Sequence, residues 1–272
     1  NTDMPGLYRA MCEDGVKVKG EKVLILGAGG VARAVAMLLL DKGAREAILL
    51  NRTVQKAQEV ADEVNRIAGR KFAKAMSVDA YDTLPAGKQY LAIQATSVGM
   101  YPHCDAAVIE DPAFYEKVYT GYDLIFNPPK TRFMELVEAQ GGKAYNGAKM
   151  LLYQGIIAFE LWTGCKVESW LADKVYERMQ EAKKTANRIL AEKMIEKLKL
   201  RRMEGFYVET KEEALALVKE KFLTQGKSVC YGGSVTLQET GIMDWLKESP
   251  CDVIDRTAFS TPEEEKEIKA RM

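Results

Sequence analysis

The stretch with the plainest chemical potential is VLILGAGGVARA, residues 23–34, where Gly27, Gly29 and Ala32 carry the spacing G-x-G-x-x-G/A. A short apolar run leads into it and a helical pattern leaves it. Gly27 permits a tight turn, Gly29 lets a pyrophosphate come close to the backbone, and Ala32 is small enough for helix to pack on strand. Ala28, Gly30 and Val31 complete the loop. The helix start then offers unpaired N–H groups and a partial positive charge, which suits a phosphate. Glycine turns also occur where no nucleotide binds, so the loop alone specifies little.

The selector lies at the end of the next apolar run, in NRTVQK, residues 51–56. In NAD-binding units a carboxylate about 20 residues after the glycines accepts hydrogen bonds from the ribose 2′-OH. Here Asn51, Arg52 and Thr53 hold that place, with Lys56 close behind. A carboxylate would repel a 2′-phosphate, whereas a guanidinium flanked by neutral donors can grip it with charge-assisted, bidentate contacts. A lone arginine at a strand end is by default solvated. Following a glycine loop, it makes NADP the expected cofactor.

Other chemistry is scarce. His103 is the only imidazole, which removes His-based triads and multi-His metal sites, and its loop MYPHCD marks a surface residue. Proton transfer must fall to Lys, Asp, Glu or Tyr. The five cysteines are scattered without C-x-x-C spacing, so no metal is expected, and they read as buried or partly buried free thiols of a reducing cytosol. Lys plus Arg equals Asp plus Glu, 39 each, so no overall field favours nucleic acid or an anionic membrane. No apolar run is long enough to span a bilayer.

Alternation supplies the frame. KVLIL, EAILL, YLAIQA and YDLIF read as strands; GVARAVAMLLLDKG, TVQKAQEVADEVNRIAG, TRFMELVEAQG and GAKMLLYQGIIAFELWTG read as helices. Strands alternating with helices of ten or more residues indicate an α/β fold, a Rossmann-type doubly wound parallel sheet. Residues 166–204 lack Gly and Pro and are dense in charge, a long helical connector. A second, partial α/β segment follows: GFYVET, a helix KEEALALVKEKFLTQG, a strand SVCYGG and a helix from SVTLQETG. The expected domains are 1–185 and 186–272. Neither end carries a cap or initiator Met, and the chain reads as a fragment.

NTDMPG, VLILGAGGVARAVA, NRTVQKA, QATSVGM and NGAKMLLYQGIIAFELWTG occur in the order found in shikimate dehydrogenases. The first 180 residues resemble that family's NADP-binding domain with the tail of its preceding substrate domain. The resemblance implies a dinucleotide loop at Gly27–Val31 and a 2′-phosphate clamp at Asn51, Arg52, Thr53 and Lys56. It implies cofactor contacts from Thr96, Ser97, Met100, Leu124 and Gly147. Gln154 is implied as a substrate-binding residue, and Asp3 as the catalytic, substrate-holding partner of a lysine. The implied reaction is reversible hydride transfer between NADPH and 3-dehydroshikimate in chorismate and aromatic amino acid biosynthesis, in the cytoplasm, by a protein for which a homodimer is open. Two departures stand out: Phe126 replaces the usual Tyr, and Gln94 the usual Asn. The lysine-bearing domain would precede NTD, so this chain is expected to bind NADP without turning over shikimate at a useful rate.

Residues 186–272 resemble the start of the LUD (lactate utilisation) domain through FYVETKEEAL, YGGSVTLQETG and VIDR. Gly232, Gly233 and Ser234 could cradle an anion, or Ser234 could simply cap a helix. Three rival readings remain open: another NADP-linked reductase, a non-catalytic NADP-sensing module coupled to a LUD-type protein, and a protein centred on its LUD-like part.

Overall fold

A computed structural model describes residues 2–221, 228–231 and 234–255. The chain divides into two compact units, 1–180 and 181–272.

The first unit begins with helix α1 (Asp3–Glu13), then strand β1 (Lys22–Leu26), α2 (Gly30–Asp41), β2 (Glu46–Asn51), α3 (Val54–Ala68) and β3 (Ala73–Ser77). A 3₁₀ turn (Val78–Thr83) leads to β4 (Tyr90–Gln94), α4 (Pro112–Tyr115), β5 (Val118–Asp123), α5 (Arg132–Ala139), β6 (Lys143–Tyr145) and α6 (Ala148–Thr163). The six strands form one sheet in the order β3-β2-β1-β4-β5-β6, every pair parallel. This is the doubly wound order whose reversal falls between β1 and β4, where ligands bind at the carboxyl ends of the strands.

Strand alternation explains why both faces are covered. Val23, Ile25, Leu91 and Ile93 face one apolar cluster, which α1, α2, α3 and α6 close. Leu24, Leu26, Tyr90 and Ala92 face the other, closed by α4 and α5. A parallel sheet buried on both sides needs such near-continuous apolar strands.

Helix α1 presents Gly6, Leu7, Ala10 and Met11, a helical stripe, and buries all four. A Cβ on Gly6 would stand 2.9 Å from the Gln154 nitrogen and 3.2 Å from the Met150 oxygen, so α1 and α6 cross in contact there. Two polar ties hold the crossing: Arg9 pairs with Glu160 at 3.1 Å, and Lys149 pairs with the mostly buried Asp14. Burial works against the Lys149 ammonium, but the Asp14 carboxylate outweighs it and holds the pKa above the usual lysine value.

Three expectations need correction. The strand expected at 122–126 is β5, Val118–Asp123, so Leu124, Ile125 and Phe126 lie past its end. GFYVET contains no regular element. The cysteines are all free, but Cys12, Cys165 and Cys230 are exposed and the other two half-buried, so none is buried.

The division between the units falls inside α7 (Ser169–Leu200), whose Ala172 is buried in the core of the first unit. The second unit contains α8 (Lys211–Lys221), β7 (Ser228–Tyr231), α9 (Val235–Glu239), α10 (Ile242–Glu248) and β8 (Asp252–Asp255), with β7 and β8 paired in parallel. Ser234 occupies the N-cap of α9 without a side-chain capping bond. Gly232 and Gly233 lie outside the described residues.

Candidate active site

The glycine turn has the shape its sequence demands. Gly27 sits at φ +115°, a conformation that L side chains rarely adopt, and its N–H donates to the Leu50 oxygen at 2.8 Å. A Cβ there would also fall 2.8 Å from the Thr96 methyl, so the turn leans directly on the loop after β4. A Cβ on Gly29 or Gly30 would meet nothing within 4 Å, which leaves the outer side of the loop open. Helix α2 starts without a side-chain cap and without an acidic residue in its first turn, and Ala32 is fully buried beneath it. Its first N–H groups are therefore available to an anion.

The neighbouring strand end repeats the arrangement. Asn51 folds its amide onto the Thr53 oxygen at 2.9 Å, and Thr53 stands at the N-cap of α3 without a capping bond. Arg52, Thr53 and Lys56 are exposed. Among the described residues, neither the Arg52 nor the Lys56 side chain forms a hydrogen bond or ion pair. Two helix starts and two uncommitted cations thus share one rim of the sheet.

Beyond the switch point lies a cleft of about 830 Å³. Its walls include Gly30 and Val31 of α2, Thr96, Ser97 and Met100 after β4, Leu124 after β5, Gly147 at the N-cap of α6 and Gln154 within it, and Asp3 of α1. Nine residues expected at a site from sequence therefore meet in one space. Gly27, Ala28, Gly29, Asn51, Arg52, Thr53 and Lys56 do not line it; they lie along the strand ends beside it. Met4, Ala34, Met150, Leu151 and Tyr101 line it without having been expected. Helix spacing would have found some of them, since Gly147, Met150, Leu151 and Gln154 follow i, i+3, i+4, i+7. Phe126 stands half-exposed on the wall, so the departure noted in the sequence presents a bare ring to the cleft.

Buried polar groups fix the loops. Gln94, 1% exposed, accepts from the Thr96 N–H at 2.6 Å and hydroxyl at 2.7 Å, and donates to the Val98 oxygen at 3.0 Å. Asp123, fully buried, accepts from the Ile125 N–H at 2.9 Å and the Thr131 hydroxyl at 2.6 Å. Burial pushes its pKa up to about 6, against the lowering effect of those two bonds. Gly147 touches the end of β5 so closely that a Cβ would overlap the Leu124 carbonyl.

The lining is mostly apolar, with Asp3, Asn127, Gln154 and hydroxyls as its polar groups, and no Lys, Arg or His among them. Such a cleft can hold a flat apolar ring against a hydroxylated molecule. Among the described residues, no cationic proton donor lines it.

Residues 10–83 match the shikimate/quinate 5-dehydrogenase family model, and residues 147–179 match the shikimate 5′-dehydrogenase C-terminal domain. The first unit is therefore similar in sequence to the shikimate dehydrogenases. Residues 191–272 match the LUD domain. Among relatives, the NADP(+) shikimate dehydrogenase of Methanopyrus kandleri is 41% identical over 167 residues, 60% of this chain and 57% of that protein. That of Carboxydothermus hydrogenoformans is 38% identical over 164 residues, again 57% of its length. The chain thus spans little more than half of these shikimate dehydrogenases. Among solved structures, the Thermus thermophilus shikimate 5-dehydrogenase in complex with NADP(H) and shikimate superposes with a TM-score of 0.53 at 32% identity, covering 65% of this chain and 62% of that one. A 5-ketofructose reductase of Gluconobacter gives 0.54 at 32%, covering 66% and 63%. Among the described residues no cluster of His, Cys, Asp or Glu could hold a metal, and no helix is long and apolar enough to cross a membrane.

Proposed function

We propose that residues 1–185, the domain expected from the sequence, bind NADP and that the whole protein interconverts 3-dehydroshikimate and shikimate by hydride transfer. The observation that carries this is the meeting of Asp3 and Gln154 with Gly30, Val31, Thr96 and Ser97 in one cleft at the sheet's switch point. In this reading the coenzyme's diphosphate lies on the free N–H groups of α2 and its 2′-phosphate between Arg52, Thr53 and Lys56. When bound, it supplies the hydride. The chain's own groups orient the partners: Met100, Leu124 and Gly147 border the ring, Gln154 offers an amide to substrate hydroxyls, and Asp3 offers a carboxylate to hold a neighbouring donor. The sequence resemblance pairs Asp3 with a lysine, and that lysine is the proposed proton donor; among the described residues none lines the cleft.

Calorimetry tests the cofactor half. NADP should bind more tightly than NAD, and Arg52→Ala should weaken NADP about 10- to 100-fold with little change for NAD, as expected for charge-assisted bonds. Equal affinities, unmoved by the substitution, would refute the assignment. Turnover of shikimate, quinate and 5-ketofructose by the full-length protein separates the substrate readings.

A further inference from the structure

Gln94 ends β4 as one of the few buried polar side chains of the first unit, and its contacts reach three walls of the cleft. Its amide oxygen holds both the N–H and the hydroxyl of Thr96, and its amide nitrogen holds the Val98 carbonyl. The Thr96 hydroxyl in turn accepts from the Val98 N–H at 3.1 Å. The methyl of the same Thr96 would stand 2.8 Å from a Cβ at Gly27. On the other side, the Gln94 carbonyl accepts from the Leu124 N–H at 3.1 Å. The glycine turn, the loop after β4 and the exit from β5 are thus referenced to one residue.

We infer that Gln94 is a positioning residue for the nicotinamide half of the coenzyme site. It sets where Thr96 and Ser97 stand relative to Gly27 and Leu124, without touching the ligand itself. Arg52 and Lys56 follow β2, two strands from β4 in the sheet, so the 2′-phosphate end of the adenosine half does not depend on it. The inference rests on the proposed NADP binding, and its signature is a split between two ligands. A merely structural role would move both together.

The experiment titrates the chain calorimetrically with NADP and with adenosine 2′,5′-bisphosphate, which fills the adenosine half alone. Gln94→Met keeps length and volume and removes the three side-chain bonds. It should weaken NADP at least about tenfold and leave the bisphosphate within about twofold. Gln94→Asn keeps an amide able to fold onto the Thr96 N–H, as Asn does in turns, and should hold NADP within about threefold. If the methionine variant lacks a cooperative melt, Gln94→Leu carries the same expectation, since it too removes the three side-chain bonds. Parallel loss of both ligands, an unchanged NADP affinity, or an asparagine variant no better than methionine would overturn the inference. Failure of the unaltered chain to bind either ligand would instead sink the cofactor reading and the inference with it.

Discussion

Asp123 is a carboxyl group in a place water does not reach. Burial raises its pKa from 3.8 to about 6, while bonds from Thr131 and Ile125 oppose the rise. Between those two values the folded chain binds more protons than the unfolded one, so this group makes stability fall as pH rises through the window. Its contribution is fully present below about pH 4 and lost above about pH 6, a swing on the order of 3 kcal/mol. Asp123→Asn keeps an acceptor for the Ile125 N–H, and the Thr131 hydroxyl can turn to accept from the new amide. Urea unfolding of the variant across pH 4 to 6 should therefore be flatter than that of the unaltered chain by about that amount. Identical pH dependence of the two would show that folding does not raise the Asp123 pKa. The sequence announced neither Asp123 nor the network at Gln94. Both sit where an apolar strand ends, and only the folded loop shows that their side chains replace backbone partners.

Helices and strands were legible to different degrees, for reasons that can be named. β1, α2, β2 and α3 carry clean periodicities and a glycine stop at Gly69, which adopts φ +64°. β5 was misplaced because its apolar run continues through Leu124, Ile125 and Phe126, while the Asp123 carboxylate has already turned the chain. β3, with one buried residue in AKAMS, and the three-residue β6 give almost no signal. α1 was hidden by Pro5 and Gly6, yet Pro lies in its first turn, where no backbone donor is missed, and Gly6 is the crossing point with α6. That crossing brings Asp3 and Gln154 to the same cleft. Gly6→Ala should therefore destabilise by about 1–3 kcal/mol through overpacking. On the facing helix, Gly155 is exposed and a Cβ would meet nothing within 4 Å, so Gly155→Ala should stabilise by about 0.5–1 kcal/mol. Denaturant midpoints of the pair decide it. Effects of the same sign would mean that α6 does not meet α1 at Gly6.

The chain joins a unit similar to shikimate dehydrogenases to residues matching the LUD domain, with the division at Gln180 inside α7. In the first unit, helices close both faces of a six-stranded sheet; the described part of the second offers the two-stranded pairing of β7 with β8. Cores of such different extent should lose structure at different temperatures, giving two calorimetric transitions. A ligand stabilises only the unit that binds it, by about 2.7 kcal/mol when present at a hundred times its Kd. Saturating NADP should therefore raise one transition by several degrees and leave the other in place. The Arg52→Ala chain, at the same NADP concentration, should show a smaller rise in that transition alone. If NADP moved both transitions together, folding of the second unit would be thermodynamically linked to the cofactor site. The dehydrogenase-type unit could then not be treated as the sole owner of its binding energy, and the coupling would be measurable as the shift of the second transition.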